Sequence, residues 1–317
     1  MADHALSATR ARLAQIPGVA LVLAILVAFF AVSSPSFATM ANLSNVLIQS
    51  TILLLLALPM TLVIMTEGLD LSMGAVLTLA SIVLALTLLM TQSLALGLLA
   101  ALLVGAVFGL ANGWLVSLLG IPPFVATLGT LVIAQGLALI VSDGQSIVGL
   151  PRFVRDAYAS ALFGLPLPIL IGAVTYLAFH VLLYHTRFGV YIFALGGNRD
   201  ALALAGVRWR WVLVALYILS GAMSGFAALL LTSRMSAGHP TAAIGMEFDA
   251  IAAVALGGTS FERGNGWLFG TLLGVVTVGI LRNGLNLTAV PSSAQVACIG
   301  GLVILALFLD GLRSRST

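Results

Sequence analysis

The sequence predicts an all-α polytopic membrane protein with about ten transmembrane helices, and three observations predict it. Of its 317 residues 61% are hydrophobic and 7% charged, with a mean hydropathy of +1.18, whereas a water-soluble domain carries about 25% charged residues. The apolar runs are continuous over lengths near the ~20 residues a helix needs to cross a bilayer, and none alternates like a barrel strand. Prolines, glycines and charges punctuate those runs at span-length intervals.

The net charge of +3 comes from thirteen arginines and no lysine. That balance is too small and too dispersed for a nucleic-acid partner and reads as a topology signal. The single cysteine, Cys298, has no partner for an internal disulfide. No small-residue cleavage site follows the first apolar run, so that run is expected to remain as a helix.

In chain order, an arm over 1–15 carries Arg10 and Arg12, and a single transmembrane domain is expected over 16–312. Span one, 17–33, ends at Ser33-Ser34-Pro35-Ser36, and a connection at 34–45 leads to span two, 46–66, where Pro59 marks a kink. Span three is 72–90. Span four, 94–115, sets Gly105, Gly109 and Gly113 four residues apart, a stripe that admits a second helix closely. Span five follows Pro122-Pro123 and reaches 142.

The polar connection 143–165 holds a short amphipathic helix in PRFVRDAYASALF, with Pro151 near its start and Phe153, Val154, Ala157 and Tyr158 facing one way. Span six is 166–184, and span seven, 212–232, carries Gly221 and Gly225. The loop 233–247 and a short irregular segment, 249–259, come next. Span nine, 267–281, repeats the stripe with Gly266, Gly270 and Gly274, and span ten, 294–309, precedes a basic tail, 313–317.

With the N-terminus inside, ten spans put nine arginines inside (10, 12, 187, 199, 208, 210, 263, 313 and 315) and four outside or near the outer face (152, 155, 234 and 282). The positive-inside rule then favours N-in and C-in. The loops 34–45, 143–165 and 233–247 fall outside, and the loop 185–210 falls in the cytoplasm.

That inner loop is the most structured charged stretch of the chain. Asn198 is a good N-cap after the breaker pair Gly196-Gly197, Asp200 lies in the first turn, and Gly206 can close the helix in the left-handed conformation. Ala201, Leu202 and Ala205 share one face. A short helix, small and apolar on one side and charged on the other, reads as a docking knob for a soluble partner; an ordinary charged loop is the alternative.

Two polar clusters interrupt the apolar matrix. In Glu67-Gly68-Leu69-Asp70-Leu71-Ser72, Ser72 can cap the following helix and Asp70 can stabilise its N-terminus. A carboxylate at mid-membrane costs at least ~2.5 kcal/mol, so the same residues also suit a cavity or a gate. The second cluster gathers Asn283, Asn286, Ser292, Ser293 and Gln295 around Pro291. Together with Asn112, Thr127, Thr130 and Gln135, these groups suit a path for hydroxyl-rich solutes, or serve as interhelical hydrogen bonds. No metal-ligand spacing, nucleophile with a base, or phosphate-binding glycine loop stands out, so neither a cofactor nor ATP is expected in this chain.

The pieces EGLDLSMGAVLTLAS, GIPPFVATLGTLVIAQGLAL, ALGGNRDALALAGV, FDAIAAVALGGTSFERGNGWLFGTLLGVV, NGLNLTAVPSSAQ and LALFLD resemble, in order, the membrane subunits of ribose-type ATP-binding-cassette (ABC) importers. The resemblance covers nearly the whole chain from span two onward. It implies a type II-like ABC importer permease in the bacterial inner membrane, carrying a monosaccharide or related polyol. Besides lipid, it implies as partners an ABC ATPase subunit that holds ATP and Mg, a periplasmic sugar-binding protein, and a second permease copy or paralogue. It makes Gly197, Asn198, Arg199, Asp200, Ala201, Leu202, Ala205 and Gly206 the ATPase-coupling helix, although the family's pattern sets acidic residues after the Asn, where Arg199 stands here.

Under this reading Asn112, Gln135, Asn283 and Asn286 are candidates for the translocation path, and Glu67, Asp70 and Ser72 for structural or gating roles. Arg152, Arg155, Arg234 and His239, in the outer loops, are candidates for docking the binding protein. Glu67 and Asp70 also keep an ion-coupled secondary transporter in view.

Overall fold

The computed structural model describes residues 18–260, 264–291, 293–295, 297–301 and 304. The expected N-terminal arm, Arg263, Ser292, half of span ten and the basic tail lie outside the described residues. Helix α1 is Gly18–Ser33, α2 Met40–Met65, α3 Met73–Thr91, α4 Leu94–Ser117 and α5 Pro123–Val141. A short helix α6, Arg152–Ala159, and a two-residue hairpin, β1 Ala161–Leu162 with β2 Leu165–Pro166, precede α7, Leu167–His185. Then come α8 Arg187–Gly197, α9 Arg199–Leu204, α10 Trp209–Met235, α11 Met246–Leu256 and α12 Leu268–Leu287.

Seven of these, α2, α3, α4, α5, α7, α10 and α12, are long and apolar enough to cross a membrane. Seven of the ten expected spans are thus long apolar helices among the described residues. Helix α1 is apolar but only 16 residues long, and α11, expected as irregular, is a regular helix of 11 residues. Three boundaries move for local reasons. Thr39 accepts a hydrogen bond from the Asn42 amide, so α2 starts six residues into the expected 34–45 connection and runs on through Pro59. Helix α10 starts at Trp209, taking Arg210 out of the inner loop, and α12 runs on to Leu287, carrying Asn283 and Asn286 as helical residues.

Helix α2 is the central post. From Ser50 to Met65 every residue is buried, as a helix apolar all round must be if it is not to face lipid alone. Helices α7, α10, α11 and α12 pack around it. The closest pairing is α4 with α10, where the glycine stripes interlock. A Cβ on Gly105 would overlap the Gly221 carbonyl, and one on Gly221 would overlap that of Gly105. Such close approach is how helices associate in lipid, where burying apolar surface against another helix brings little net gain. The second stripe works likewise, with Gly270 against Gly257 and Gly274 against Ala253.

Candidate functional site

At one end of the bundle the helix α9 is built as its residues dictate. The Asn198 side-chain oxygen accepts the Ala201 amide at 2.9 Å, and Gly206, at φ +78°, turns the chain out of the helix. The Gly206 and Val207 amides then donate to the Ala203 and Leu202 carbonyls, the double bond of a left-handed helix cap. Two expectations change. Gly196 and Gly197 do not break the chain but end α8, and Gly196 is packed so tightly on the Met65 backbone that a Cβ would overlap it. Leu202 is buried and points back into the protein, so the outward face is Ala201, Ala205 and Leu204. Leu204, 90% exposed, was missed because helical spacing alone does not say which flank of a short helix meets the bundle.

Arg199 ties this helix to the turn after α2. Its guanidinium donates to the Thr66 carbonyl at 2.8 Å and lies 3.5 Å from the Glu67 carboxylate. Glu67 is exposed and occupies the left-handed region, φ 60°. Three residues on, Asp70 is buried and sits at the centre of a network. One carboxylate oxygen accepts the Ser72 amide at 3.1 Å and hydroxyl at 2.6 Å, and the other accepts the Ser220 hydroxyl at 2.5 Å.

Ser72 itself makes no side-chain cap to α3, contrary to expectation; its own amide donates to Asp70. The Ser72 hydroxyl instead accepts the Asn112 amide at 2.8 Å, and the Asn112 oxygen accepts the Thr130 hydroxyl at 2.7 Å. Thr127 reaches the Leu69 carbonyl at 3.2 Å. One buried network thus joins the 66–72 turn to α4, α5 and α10.

The other path candidates are also engaged within the chain. Gln135 donates to the Pro240 carbonyl at 2.9 Å, Asn283 and Asn42 exchange two amide hydrogen bonds at 2.8 Å, and Asn286 accepts from Gln295 at 2.8 Å. These are interhelical or helix-to-loop ties, the commoner use of such groups.

At the opposite end the 143–165 and 233–247 loops meet. Ile147 and Gly238 exchange backbone hydrogen bonds at 2.8 and 2.9 Å, and Ser146 and His239 lie 2.5 Å apart. Val154 of α6 is buried, while Arg152, Arg155 and Arg234 are exposed. Phe153, expected to share a face with Val154, is 40% exposed. Sequence reasoning also missed the pair Asp249 and Arg282, a salt bridge between α11 and α12 whose Asp side chain is 7% exposed. A carboxylate at the start of one apolar run and a lone arginine inside another were its signal. Among the described residues no group of three or more His, Cys, Asp or Glu is placed to hold a metal ion.

Residues 42–307 match the family model described as branched-chain amino acid transport system / permease component. The chain is 35% identical over 300 residues to the D-allose transport system permease protein of Escherichia coli, covering 94% of this chain and 92% of that one. It is 39% identical over 292 residues to the ribose import permease protein of Bacillus subtilis, covering 92% and 91%. Over 316 residues it is 31% identical to the L-arabinose ABC transporter permease protein of Azospirillum brasilense, covering 98% and 93%. No solved structure matches it.

Proposed function

The chain belongs to the branched-chain amino acid transport system / permease component family, and from that premise we propose that it is the membrane subunit of an ABC importer that carries a monosaccharide across the bacterial inner membrane. The observation that carries this reading is identity of 35–39% over more than nine-tenths of the chain to permeases named for D-allose and ribose. The seven long apolar helices are what a multi-pass subunit requires. The two carboxylates that kept an ion-coupled transporter in view have other uses: Glu67 is exposed and pairs with Arg199, and Asp70 holds three hydrogen-bond donors.

In this reading the N- and C-termini lie in the cytoplasm, α9 docks on an ATPase subunit, and the 143–165 and 233–247 loops receive the binding protein. Two permease subunits enclose the path, and ATP with Mg sits on the ATPases. The described geometry suits force transmission. Helix α9 is capped at both ends, joined to the 66–67 turn through Arg199, and from there to the Asp70 network that reaches α4, α5 and α10. Closure of the ATPases then biases the permease only if α9 makes different contacts in the two states.

The test is reconstitution in liposomes with the cognate ATPase and binding protein. ATP-dependent uptake of ribose, allose or arabinose is the expected result; uptake that ignores ATP and follows an ion gradient would overturn the reading.

A further inference from the structure

Beside α9 lies a cleft of about 580 Å³, within the ~300–1,000 Å³ of small-molecule sites. Its walls are residues 66–68, the connection 116–123, Arg199, and the first turns of α10 with Trp209, Arg210 and Tyr217. Two donors of residues that line it have no hydrogen-bond partner among the described residues although both atoms are buried: the Tyr217 hydroxyl, in a residue only 1% exposed, and the Arg199 Nε. A buried donor left unsatisfied costs about 1–3 kcal/mol, so an arrangement that leaves two of them at one cleft points to an acceptor supplied by a ligand.

The charge points the same way. Arg210 stacks over Trp209 with its guanidinium carbon 5.5 Å from the ring centroid, and no carboxylate among the described residues pairs with it. The positive end of the 27-residue helix α10 opens on the same cleft. Against these stands one carboxylate, Glu67, 3.5 Å from Arg199. A bare anion has no use for Glu67, whereas a ligand with both a phosphate and hydroxyl groups uses every feature. Arginine holds phosphate with its planar fork, a carboxylate accepts from sugar hydroxyls, and Trp209 offers an aromatic wall.

We propose that the cleft bounded by Glu67, Arg199, Arg210 and Tyr217 binds a phosphorylated sugar, the cytoplasmic product of phosphoryl transfer to the imported sugar. The sugar half of this assignment rests on the importer reading; the phosphate half rests on the cleft alone. Bound there, the ligand bridges α10 to Arg199 and so braces the coupling helix against the body of the protein.

The test measures binding to the full-length purified permease, without transport, so its outcome is independent of whether the importer reading holds. Thermal unfolding in phosphatidylcholine nanodiscs is followed with ribose 5-phosphate, ribose, or inorganic phosphate. A saturable rise in midpoint is expected with ribose 5-phosphate only. Arg210→Gln and Tyr217→Phe should each weaken its half-saturation by roughly tenfold. Tyr217→Phe deletes only the unpartnered hydroxyl and keeps the ring, so this variant should fold. An equal shift with inorganic phosphate would overturn the sugar phosphate, as would no shift at all. A shift that appears only when the nanodisc contains phosphatidylglycerol would assign the cleft to a lipid headgroup and overturn the proposal. Unaltered affinity in both variants would place the ligand elsewhere.

Discussion

Ser220, in the middle of α10, donates to the Asp70 carboxylate at 2.5 Å across 150 residues of sequence. The same carboxylate takes the Ser72 amide and hydroxyl, so one buried group holds the 66–72 turn against a helix that starts beside α9. Asp70→Ala leaves all of these donors unpaired, and each unpaired buried donor costs about 1–3 kcal/mol. The expected result is a lower unfolding midpoint in detergent for Asp70→Ala, and a smaller loss for Ser220→Ala. Asn112→Leu should lower it too, since that amide links Ser72 to Thr130. A variant of Asn112 that unfolds normally but transports poorly would instead put Asn112 on the path.

The polar turn 67–72 was legible as an interruption of apolar sequence, but its partners were not. Asn112 lies 40 residues from Ser72 and Ser220 lies 150 residues from Asp70, and no periodicity links them to the turn. The glycine stripes were legible because a four-residue repeat has one physical use in lipid, close helix approach. Which helix each stripe meets was not, since Gly105 and Gly221 find each other only in the fold. The caps of α9 could be read directly, because Asn198 and Gly206 act on backbone within a few residues. The burial of Leu202 and the exposure of Leu204 depend on how α9 is rotated, which is a tertiary property.

Glycines provide a paired test of packing. Gly221→Leu forces a side chain into the Gly105 backbone and should abolish folding or cost several-fold in yield of monodisperse protein. Gly136 lies mid-helix in α5, and a Cβ there would meet nothing within 4 Å. Gly136→Ala should therefore be neutral or raise stability by about 0.5–1 kcal/mol, through helix propensity. Equal sensitivity at the two sites would contradict the interlock.

Arg199 and Glu67 separate a positioning contact from a surface ion pair. Their side chains are 41% and 47% exposed, and such pairs contribute about 0–1 kcal/mol. Glu67→Gln should leave ATPase copurification near the wild-type level. Arg199→Ala also loses the donor to the Thr66 carbonyl and should loosen α9 from the body. Its expected signature is normal permease yield with reduced copurification of the ATPase. Equal effects of both substitutions would assign the contact to charge alone.

Docking through α9 makes a related prediction. Leu204 is 90% exposed on the outward face, with Ala201 and Ala205 beside it, and buried apolar anchors carry about 2 kcal/mol or more at contact centres. Leu204→Asp and Ala205→Trp should reduce capture of the ATPase in a pull-down, and sugar uptake with it. Gly206→Val should do the same by forcing a β-branched residue to φ +78°. Near-wild-type capture by all three would make this stretch a plain solvated loop.

The ledge at the end opposite α9 yields the last prediction. The 143–165 and 233–247 loops are joined through Ile147 and Gly238, and through Ser146 and His239, so they present one surface. Arg152 and Arg155 stand exposed on α6. Val154 between them is buried, so the helix is anchored and its charges have a fixed placement. Exposed charges of this kind change the rate of encounter more than the strength of the final complex, and salt screens them over a Debye length of about 8–10 Å at 0.1–0.15 M ionic strength. Reversing both arginines to Glu should slow association of the binding protein at low salt, by roughly tenfold, and leave dissociation nearly unchanged. The difference from wild type should shrink as salt is raised, because the wild-type rate falls toward the variant's. Surface-plasmon resonance on the nanodisc-embedded permease reads both rates directly. Association that is identical for the two proteins at every salt concentration would remove Arg152 and Arg155 from the docking surface. A faster dissociation at all salts would instead make them part of the final contact.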